Sequence, residues 1–215
     1  MVSASETLDR VDVHRAFIDG AVRAGASHLV YVSFFGAIPT ATFTLVRDHW
    51  ATEEYVKASG LDFTVLRDNL YADFVPAMVG TDHVIRGPAG DGRAAVVAQD
   101  DIADVAVTIL REPGAHSGAT YSLTGPAALT LTEMATTLTE VTGHQVSYHP
   151  ETIEEAYASR ASYGAPAWQV EAWVSTYTAI AAGELDGVSP DVETILGRPA
   201  TAFADLLRRN PAIWR

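Results

Sequence analysis

The chain contains no cysteine, only one lysine and no long apolar run. The lack of cysteine excludes disulfides, a thiolate nucleophile and every metal site built on cysteine sulfur. Basic residues number 14 against 27 acidic ones, and the resulting net charge of -13 repels nucleic-acid phosphates and anionic bilayers. No stretch approaches the roughly 18 apolar residues that span a membrane, and the first residues lack the order of a signal peptide. These absences predict an acidic, cytoplasmic protein that binds neither nucleic acid nor membrane.

Sequence motifs that would identify an activity are absent too. The G-x-G-x-x-G dinucleotide fingerprint, the G-x-S-x-G nucleophile elbow and the H-E-x-x-H metal motif do not occur. The one glycine-rich run, residues 87–92, neither follows a convincing strand nor opens a helix, so it predicts a turn rather than a phosphate cradle. The 7 histidines are scattered, which argues against a metal site.

The chain does contain enough apolar sequence, 48% of 215 residues, for a real core. Apolar spacing predicts helices over residues 11–24 and 43–59, and each is followed by a short apolar run rich in β-branched and aromatic residues. These runs, residues 28–33 and 61–67, predict strands buried on both faces. Helix and strand alternating through short connections indicate an α/β fold with a parallel sheet.

The pattern continues beyond the middle of the chain. It predicts strands over residues 94–98, 120–124 and 145–149, and helices over residues 100–112 and 131–142. The second of these helices opens with capping-box spacing at Thr130 and Glu133. Residues 152–183 are helical by pattern and concentrate the aromatic side chains Tyr157, Tyr163, Trp168, Trp173 and Tyr177. Two interpretations of these aromatics stay open, ordinary core packing and an aromatic lid over a planar substrate.

Ligands of parallel sheets bind at the carboxyl ends of the strands, which here are residues 33–36 and 67–71. His49 lies on the helix after the first strand, with Asp48 beside it and Glu53 one turn further on. One interpretation is an exposed histidine that pairs weakly with Glu53, and the other is a site residue. A hydrolase built on Ser33, His49 and Asp48 is an outlying alternative.

Several short stretches in a fixed order resemble the NmrA-like group of atypical short-chain dehydrogenase/reductases, and within it the NAD(P)H:quinone oxidoreductase branch. These stretches are residues 3–6, 13–18, 28–33, 49–53, 59–67, 90–93, 101–103, 121–125, 129–133 and 196–199, with Phe203.

The resemblance implies a Rossmann-type domain for NAD or NADP over residues 1–125, and a smaller, mainly helical region over residues 126–215 that covers the substrate. It implies hydride transfer to a quinone or a similar small electrophile, in which the protein supplies orientation and exclusion of water. A non-catalytic NAD(P)-sensing or partner-binding regulator is the alternative.

The resemblance also implies site residues. Typical reductases of the group pair a tyrosine with a lysine four residues later, and these positions fall on Leu45 and His49. His49 would therefore hydrogen-bond the ribose or relay a proton, and His49 and Tyr71 are the expected catalytic residues. Gln99 stands where the branch tends to carry an arginine. The expected cofactor contacts are Ser3, Ser5, Ser33, Phe34, His49, Asn69, Leu70 and Tyr71.

The resemblance begins at the end of the family's fourth strand. Two βαβ units of roughly 70 residues in total, with the glycine-rich turn, are therefore expected to be missing. A misassigned start or truncated gene, a natural fragment paired with another chain, and a decayed paralogue kept for binding all remain open. Each leaves the strand over residues 28–33 with an apolar edge that a second copy or a partner chain is expected to cover.

Overall fold

Helices and strands alternate along the chain in the computed structural model, which describes residues 1–214. The strands are β1 (His28–Phe34), β2 (Asp62–Asp68), β3 (Val84–Gly87), β4 (Arg93–Ala94), β5 (Thr120–Leu123), β6 (Leu129–Thr130) and β7 (Ser147–Pro150). The α-helices are α1 (Arg10–Arg23), α2 (Thr44–Ala58), α3 (Gln99–Arg111), α4 (Leu131–Thr142), α5 (Ile153–Arg160), α6 (Ala167–Ala181), α7 (Asp191–Leu196) and α8 (Phe203–Arg209). Short 3-10 helices cover Ala72–Met78, Pro113–His116, Ala161–Tyr163 and Pro211–Ile213.

A three-stranded parallel sheet in the order β1-β2-β5 forms the centre of the fold. Leu29, Val30 and Tyr31 are buried in β1, and Val65 and Leu66 are buried in β2. Consecutive buried residues are typical of a strand covered on both faces. The sheet confirms the predicted α/β class with a Rossmann-type parallel arrangement.

The helices cover the two faces of this sheet with different side chains. On the face of α1 and α2, a small apolar cluster joins Ile18, Leu29 and Val56. On the face of α3 and α7, a larger cluster packs Val30, Leu66, Val97, Ile102, Val105, Ile109, Leu123 and Val192. Because helices cover both faces, the carboxyl ends of β1 and β2 remain uncovered at one end of the sheet.

A second packed region lies at that end of the sheet. There β3 pairs with β7 in parallel and β4 pairs with β6 in antiparallel, and α4, α6 and α8 share the largest apolar cluster. The glycine-rich run packs against α6. A Cβ on Gly87 would lie 2.2 Å from the Tyr177 ring, and one on Gly92 would lie 2.2 Å from the Ile180 carbonyl oxygen. Close packing therefore requires these glycines.

The second half of the chain departs from the sequence pattern at two places. The strand predicted over residues 94–98 is regular only at Arg93–Ala94, and Val97 forms an isolated parallel bridge with Tyr71. The helix predicted over residues 152–183 breaks between α5 and α6, because Gly164 adopts a left-handed φ of 63° and Pro166 has no N–H to continue a helix. The capping box of Thr130 and Glu133 is confirmed.

Across residues 1–214, no helix is both long and apolar enough to cross a membrane. The outer edge of β1 is partly paired by the first residues of the chain. The Met1 ammonium donates to the Val30 carbonyl, the Val32 N–H donates to the Met1 carbonyl at 3.0 Å, and the Ser3 hydroxyl donates to the Val32 carbonyl at 2.8 Å. These bonds bring Ser3 to the carboxyl end of β1.

Candidate active site

A cavity of about 1280 Å³ lies between the carboxyl ends of β1 and β2 and the helices of the second region. Single small-molecule sites are typically about 300–1,000 Å³, so this cavity has room for more than one small molecule. Its sheet end is polar and is lined by Ser3, Arg10, His49, Asp68 and Tyr71, among others. Its far end is lined by side chains of α5, α6 and the segment between them.

The polar end centres on His49, which is buried. Arg10 Nη2 lies 3.2 Å from His49 Nε2, and Tyr31 Oη lies 3.0 Å from His49 Nδ1. A guanidinium can only donate, so Nε2 accepts and the imidazole proton sits on Nδ1, which donates to Tyr31. Burial, with the nearby Arg10 and His14, holds the pKa of His49 well below its usual value. His49 is therefore a neutral ring with both nitrogens engaged.

The interpretation of His49 as an exposed histidine paired with Glu53 is wrong. The fully buried Glu53 carboxylate instead accepts from Ser33 Oγ at 2.6 Å and from Arg67 Nη2 at 2.7 Å. The sequence does not indicate that His49 and Glu53 are both buried. Their burial is possible because each side chain is enclosed together with its own polar partners, which offset the free-energy cost of removing it from water.

A second buried histidine fixes the first residues of the chain against the helices. His14 Nε2 accepts from the Ala4 N–H at 2.8 Å, and His14 Nδ1 lies 2.8 Å from Thr52 Oγ1. Burial and then the charge of Arg10 lower the pKa of His14 to about 4, so this ring is neutral as well. Through Ala4, it positions the segment that carries Ser3.

Arg10 lines the polar end of the cavity, and its guanidinium group includes a buried nitrogen that has no hydrogen-bond partner in residues 1–214. It is buried, and its Nε donates to the Ala4 carbonyl at 3.1 Å while Nη2 bonds His49. Its third nitrogen, Nη1, is buried without a hydrogen-bond partner anywhere in residues 1–214, and no carboxylate in that range forms an ion pair with the side chain. A buried cationic N–H of this kind is unfavourable until it finds an acceptor, since its desolvation is not compensated.

Two acidic groups face each other at the end of β2. Tyr71 Oη donates to Asp68 Oδ2 at 3.0 Å, and both residues line the cavity. Burial raises the pKa of Asp68 to about 8 and also raises the pKa of Tyr71. Between them, Asn69 is fully buried and shapes the turn, because its amide nitrogen donates to the Leu185 carbonyl and its oxygen accepts from the Leu70 N–H.

Aromatic rings line the far end of the cavity. Tyr163 and Trp173 meet edge to face with ring centroids 5.9 Å apart, and the Arg160 guanidinium lies 5.0 Å from the centre of the Tyr177 ring. These three rings line the cavity, whereas Tyr157 and Trp168 do not. The aromatics of this segment therefore divide between a cavity wall and other packing.

The structure brings together most of the residues that the sequence singled out. The side chains that line the cavity are Ser3, Phe34, His49, Asn69, Leu70 and Tyr71. Ser5 is exposed outside the cavity, and Ser33 turns away from it toward Glu53. The partners of Ser33 and His49 also exclude the Ser33–His49–Asp48 hydrolase arrangement. Within residues 1–214, no group of three metal-binding side chains that could hold an ion is found.

Sequence reasoning missed Arg10, Tyr31 and Asp68. Asp68 lies within residues 67–71, a strand end where the sequence already predicts ligand binding, so its position alone could have indicated it as a site residue. Nothing in the sequence around Arg10 distinguishes it from the exposed arginine at position 15. In the sequence, Tyr31 is one of several residues in an apolar run, and only the hydrogen bond between its hydroxyl and His49 distinguishes it.

Comparisons with known proteins agree on one family. A family model described as NAD(P)H-binding matches residues 1–113. Quinone oxidoreductase 2 of Escherichia coli is 31% identical over 208 residues, which are 95% of this chain and 72% of that protein. NAD(P)H azoreductase of Xenophilus azovorans is 30% identical over 210 residues, with the same coverage of 95% and 72%.

Solved structures extend the likeness. The structure of NADPH-dependent quinone oxidoreductase from E. coli, complexed with NADPH, superposes with a TM-score of 0.86 at 31% identity, over 97% of this chain and 74% of that chain. NmrA, a negative transcriptional regulator, shares the fold with a TM-score of 0.71 at 16% identity, over 96% of this chain and 71% of that chain. The chain belongs to the NAD(P)H-binding, NmrA-like family of Rossmann-type proteins.

Proposed function

We propose that the protein is an NAD(P)H-dependent reductase of quinone type, which reduces a quinone or a similar small, planar electrophile. The observation that carries this proposal is the cavity. One end of the cavity is polar and includes Arg10, which has a buried N–H without a partner in residues 1–214, and the other end is lined by aromatic rings. The chain that forms this cavity belongs to the NAD(P)H-binding family. Relatives that share nearly the whole length of this chain carry the names quinone oxidoreductase and NAD(P)H azoreductase.

The residues at the polar end fit a nicotinamide nucleotide. Arg10 Nη1 would donate to a phosphate or ribose oxygen, and Ser3 Oγ, whose hydrogen is donated to the Val32 carbonyl, would accept a hydrogen bond beside it. Both nitrogens of His49 are already bonded, so we assign to His49 the positioning of Arg10 and Tyr31 rather than a direct bond to the ribose. The bound nucleotide supplies the hydride, and the protein orients the reactants and keeps water out.

The aromatic end indicates an uncharged acceptor. Its two arginines are already neutralised, because Arg160 pairs with Glu151 at 2.9 Å and Arg86 pairs with Asp82 at 2.6 Å. The remaining wall combines the hydroxyl side chains of Ser159 and Thr176 with apolar and aromatic side chains, and the aromatic ones stack well against a flat ring. A quinone carries such a ring without a net charge.

The division of labour between residues 1–125 and residues 126–215 is part of the same proposal. The first part supplies the strand ends with Arg10, His49, Asp68 and Tyr71, while the aromatic rings of the far end all come from the second part. The first part would therefore hold the nucleotide and the second would cover the acceptor.

Fluorescence titration with NADPH and NADH, followed by turnover measurements on a panel of small quinones, tests the proposal. We expect saturable binding of at least one nucleotide and its oxidation in the presence of a quinone. Absence of nucleotide binding would overturn the proposal. Binding without turnover on any acceptor would favour the nucleotide-sensing regulator, a role that the 16% identity to NmrA does not itself support.

A further inference from the structure

Asp68 is placed where a carboxylate is difficult to keep. It is the last residue of β2, 2% exposed, and its neighbours across the sheet are the apolar Phe34 of β1 and Leu123 of β5. No ion pair of Asp68 occurs in the part of the chain that the structure describes, and its carboxyl group is hydrogen-bonded there to the Tyr71 hydroxyl and to its own backbone N–H. A buried carboxyl group without a cation takes up a proton rather than remain charged.

The other acidic residues buried beneath the sheet and its helices are held differently. Glu53 is bound by Arg67, and Asp101 is bound by Arg198 and by the backbone and hydroxyl of Thr201. These acids have structural partners that explain their burial. Asp68 has no cationic partner in residues 1–214, and the one side chain that bonds it, Tyr71, lines the cavity, so the fold does not account for its presence.

We propose that Asp68 supplies the proton that accompanies the hydride, and that it does so through the hydroxyl of Tyr71. This inference rests on the proposed reductase function. The hydride adds two electrons and one hydrogen to the acceptor, whose oxygen becomes negatively charged. For the transfer, the Tyr71 hydroxyl turns its hydrogen from Asp68 to that oxygen, and the protonated Asp68 carboxyl then donates to Tyr71 Oη across the same 3.0 Å. The Tyr71 O–H bond breaks and its proton passes to the acceptor oxygen. The Asp68 carboxyl O–H bond breaks in turn, its proton restores the Tyr71 hydroxyl, and water reprotonates Asp68.

The surroundings of the pair support this direction of transfer. Burial raises the pKa of Asp68 to about 8, so the carboxyl group holds its proton at neutral pH and loses it as the pH rises. Of the charged groups on the adjoining elements, Arg10 at the start of α1 acts on Tyr71, and His49 of α2 is neutral. Asp73 of the following 3-10 helix accepts from the Gln99 N–H and stands outside the cavity.

The experiment compares D68N, Y71F and the double variant in quinone turnover across pH, with NADPH affinity measured separately by fluorescence. We expect kcat to fall about 10²-fold in Y71F and at least about tenfold in D68N, in the range of general acid catalysis. The double variant should be no slower than Y71F, because both residues act in one relay. The wild-type kcat should decline as the pH passes about 8, and D68N should lack that decline.

The matched control is D73N, the same substitution five positions further along and outside the cavity, which should keep the wild-type kcat and pH profile. Infrared difference spectra of wild type against D68N give a readout independent of activity, through the carbonyl stretch of a protonated carboxyl group at pH 7. An ionised Asp68 at that pH, or D68N with unchanged kcat and pH profile, overturns the relay. Nucleotide binding without turnover in the wild type would instead count against the proposed function.

Discussion

The two faces of the central sheet are built from different chemistry. Under α3 and α7 the buried side chains are mainly aliphatic, such as Val105, Ile109 and Leu123, and the buried Asp101 at the start of α3 is paired with Arg198. Under α1 and α2 the sheet buries Tyr31, Ser33, His14, Thr52 and Glu53, each with a hydrogen-bond partner. The first face stabilises the fold by removing apolar surface from water. The second face holds Arg10 and Ser3 in place, and so prepares the polar end of the cavity.

Burial therefore has two different effects in the same sheet, stabilisation of the fold on one face and positioning of polar groups on the other. Apolar contacts are non-directional and tolerate small displacements, whereas hydrogen bonds between buried polar groups set distances and tautomers. Substitutions on the two faces should therefore affect different measurements.

The largest effect on stability is expected from the apolar face. Ile109 is fully buried, and I109A should lower the free energy of unfolding by about 2–5 kcal/mol, because the lost contacts leave a cavity. Urea denaturation measures this loss, and NADPH affinity of the folded variant should be unchanged. V107A on the same helix, where Val107 is 47% exposed, is the control and should change stability little. An equally stable I109A would contradict the role assigned to this face.

On the polar face, E53Q should lower the free energy of unfolding by about 1.5–3 kcal/mol, because Arg67 and Ser33 lose a charged acceptor. The neighbouring Glu54 is half exposed and pairs with Lys57, so E54Q should change stability by less than about 0.5 kcal/mol. Thermal unfolding of both variants compares the two positions. Equal losses in E53Q and E54Q would show that burial of Glu53 has no energetic consequence.

R10Q should separate binding from stability most sharply. Loss of the donor at Nη1 should weaken NADPH binding about 10- to 100-fold, the value of a hydrogen bond from a charged group. Stability should fall less than in I109A, because removal of an unpaired buried charge offsets the lost bonds to Ala4 and His49. R15Q, at an exposed arginine paired with Asp12, is the matched control. If R10Q binds NADPH like the wild type, Arg10 does not contact the nucleotide.

The last effect is a dependence of stability on pH, which appears only on acidification. His14 is held neutral with a pKa of about 4, below its usual 6.5, so the unfolded chain takes up a proton first as the pH falls. Its contribution to stability is complete above pH 6.5 and is lost between there and about pH 4. The limit is about 1.4 kcal/mol per pH unit for one group. Thermal unfolding from pH 7 to pH 4 should show a shallower decline in H14Q than in the wild type.

The order of elements was predictable because it depends on local patterns. The apolar runs over residues 28–33 and 61–67, the capping box at Thr130 and the polar strand end at residues 67–71 all occur where the sequence indicated. The break after α5 was missed, since one glycine and one proline inside a helical pattern do not show which of them ends the helix.

Side-chain partners were much less predictable. Ser33 and Phe34 are adjacent in β1, yet Phe34 lines the cavity and Ser33 points to Glu53, because neighbouring strand residues face opposite sides. One interpretation of the sequence placed His49 at the surface in contact with Glu53, but the two side chains are buried with different partners. Such pairings depend on how α2 lies across the sheet, which no local pattern records.

By itself, the sequence determined the α/β class, the parallel sheet and the strand ends that line the cavity, because hydrophobic periodicity and chain connectivity act over short distances. Only the tertiary structure decided that Arg10 is buried with an unpartnered N–H, again as judged over residues 1–214, and that Asp68 faces the cavity without a cation. Those properties arise from desolvation and from hydrogen bonds between residues 39 positions apart in the case of Arg10 and His49. They exist only once the helices have packed against the sheet.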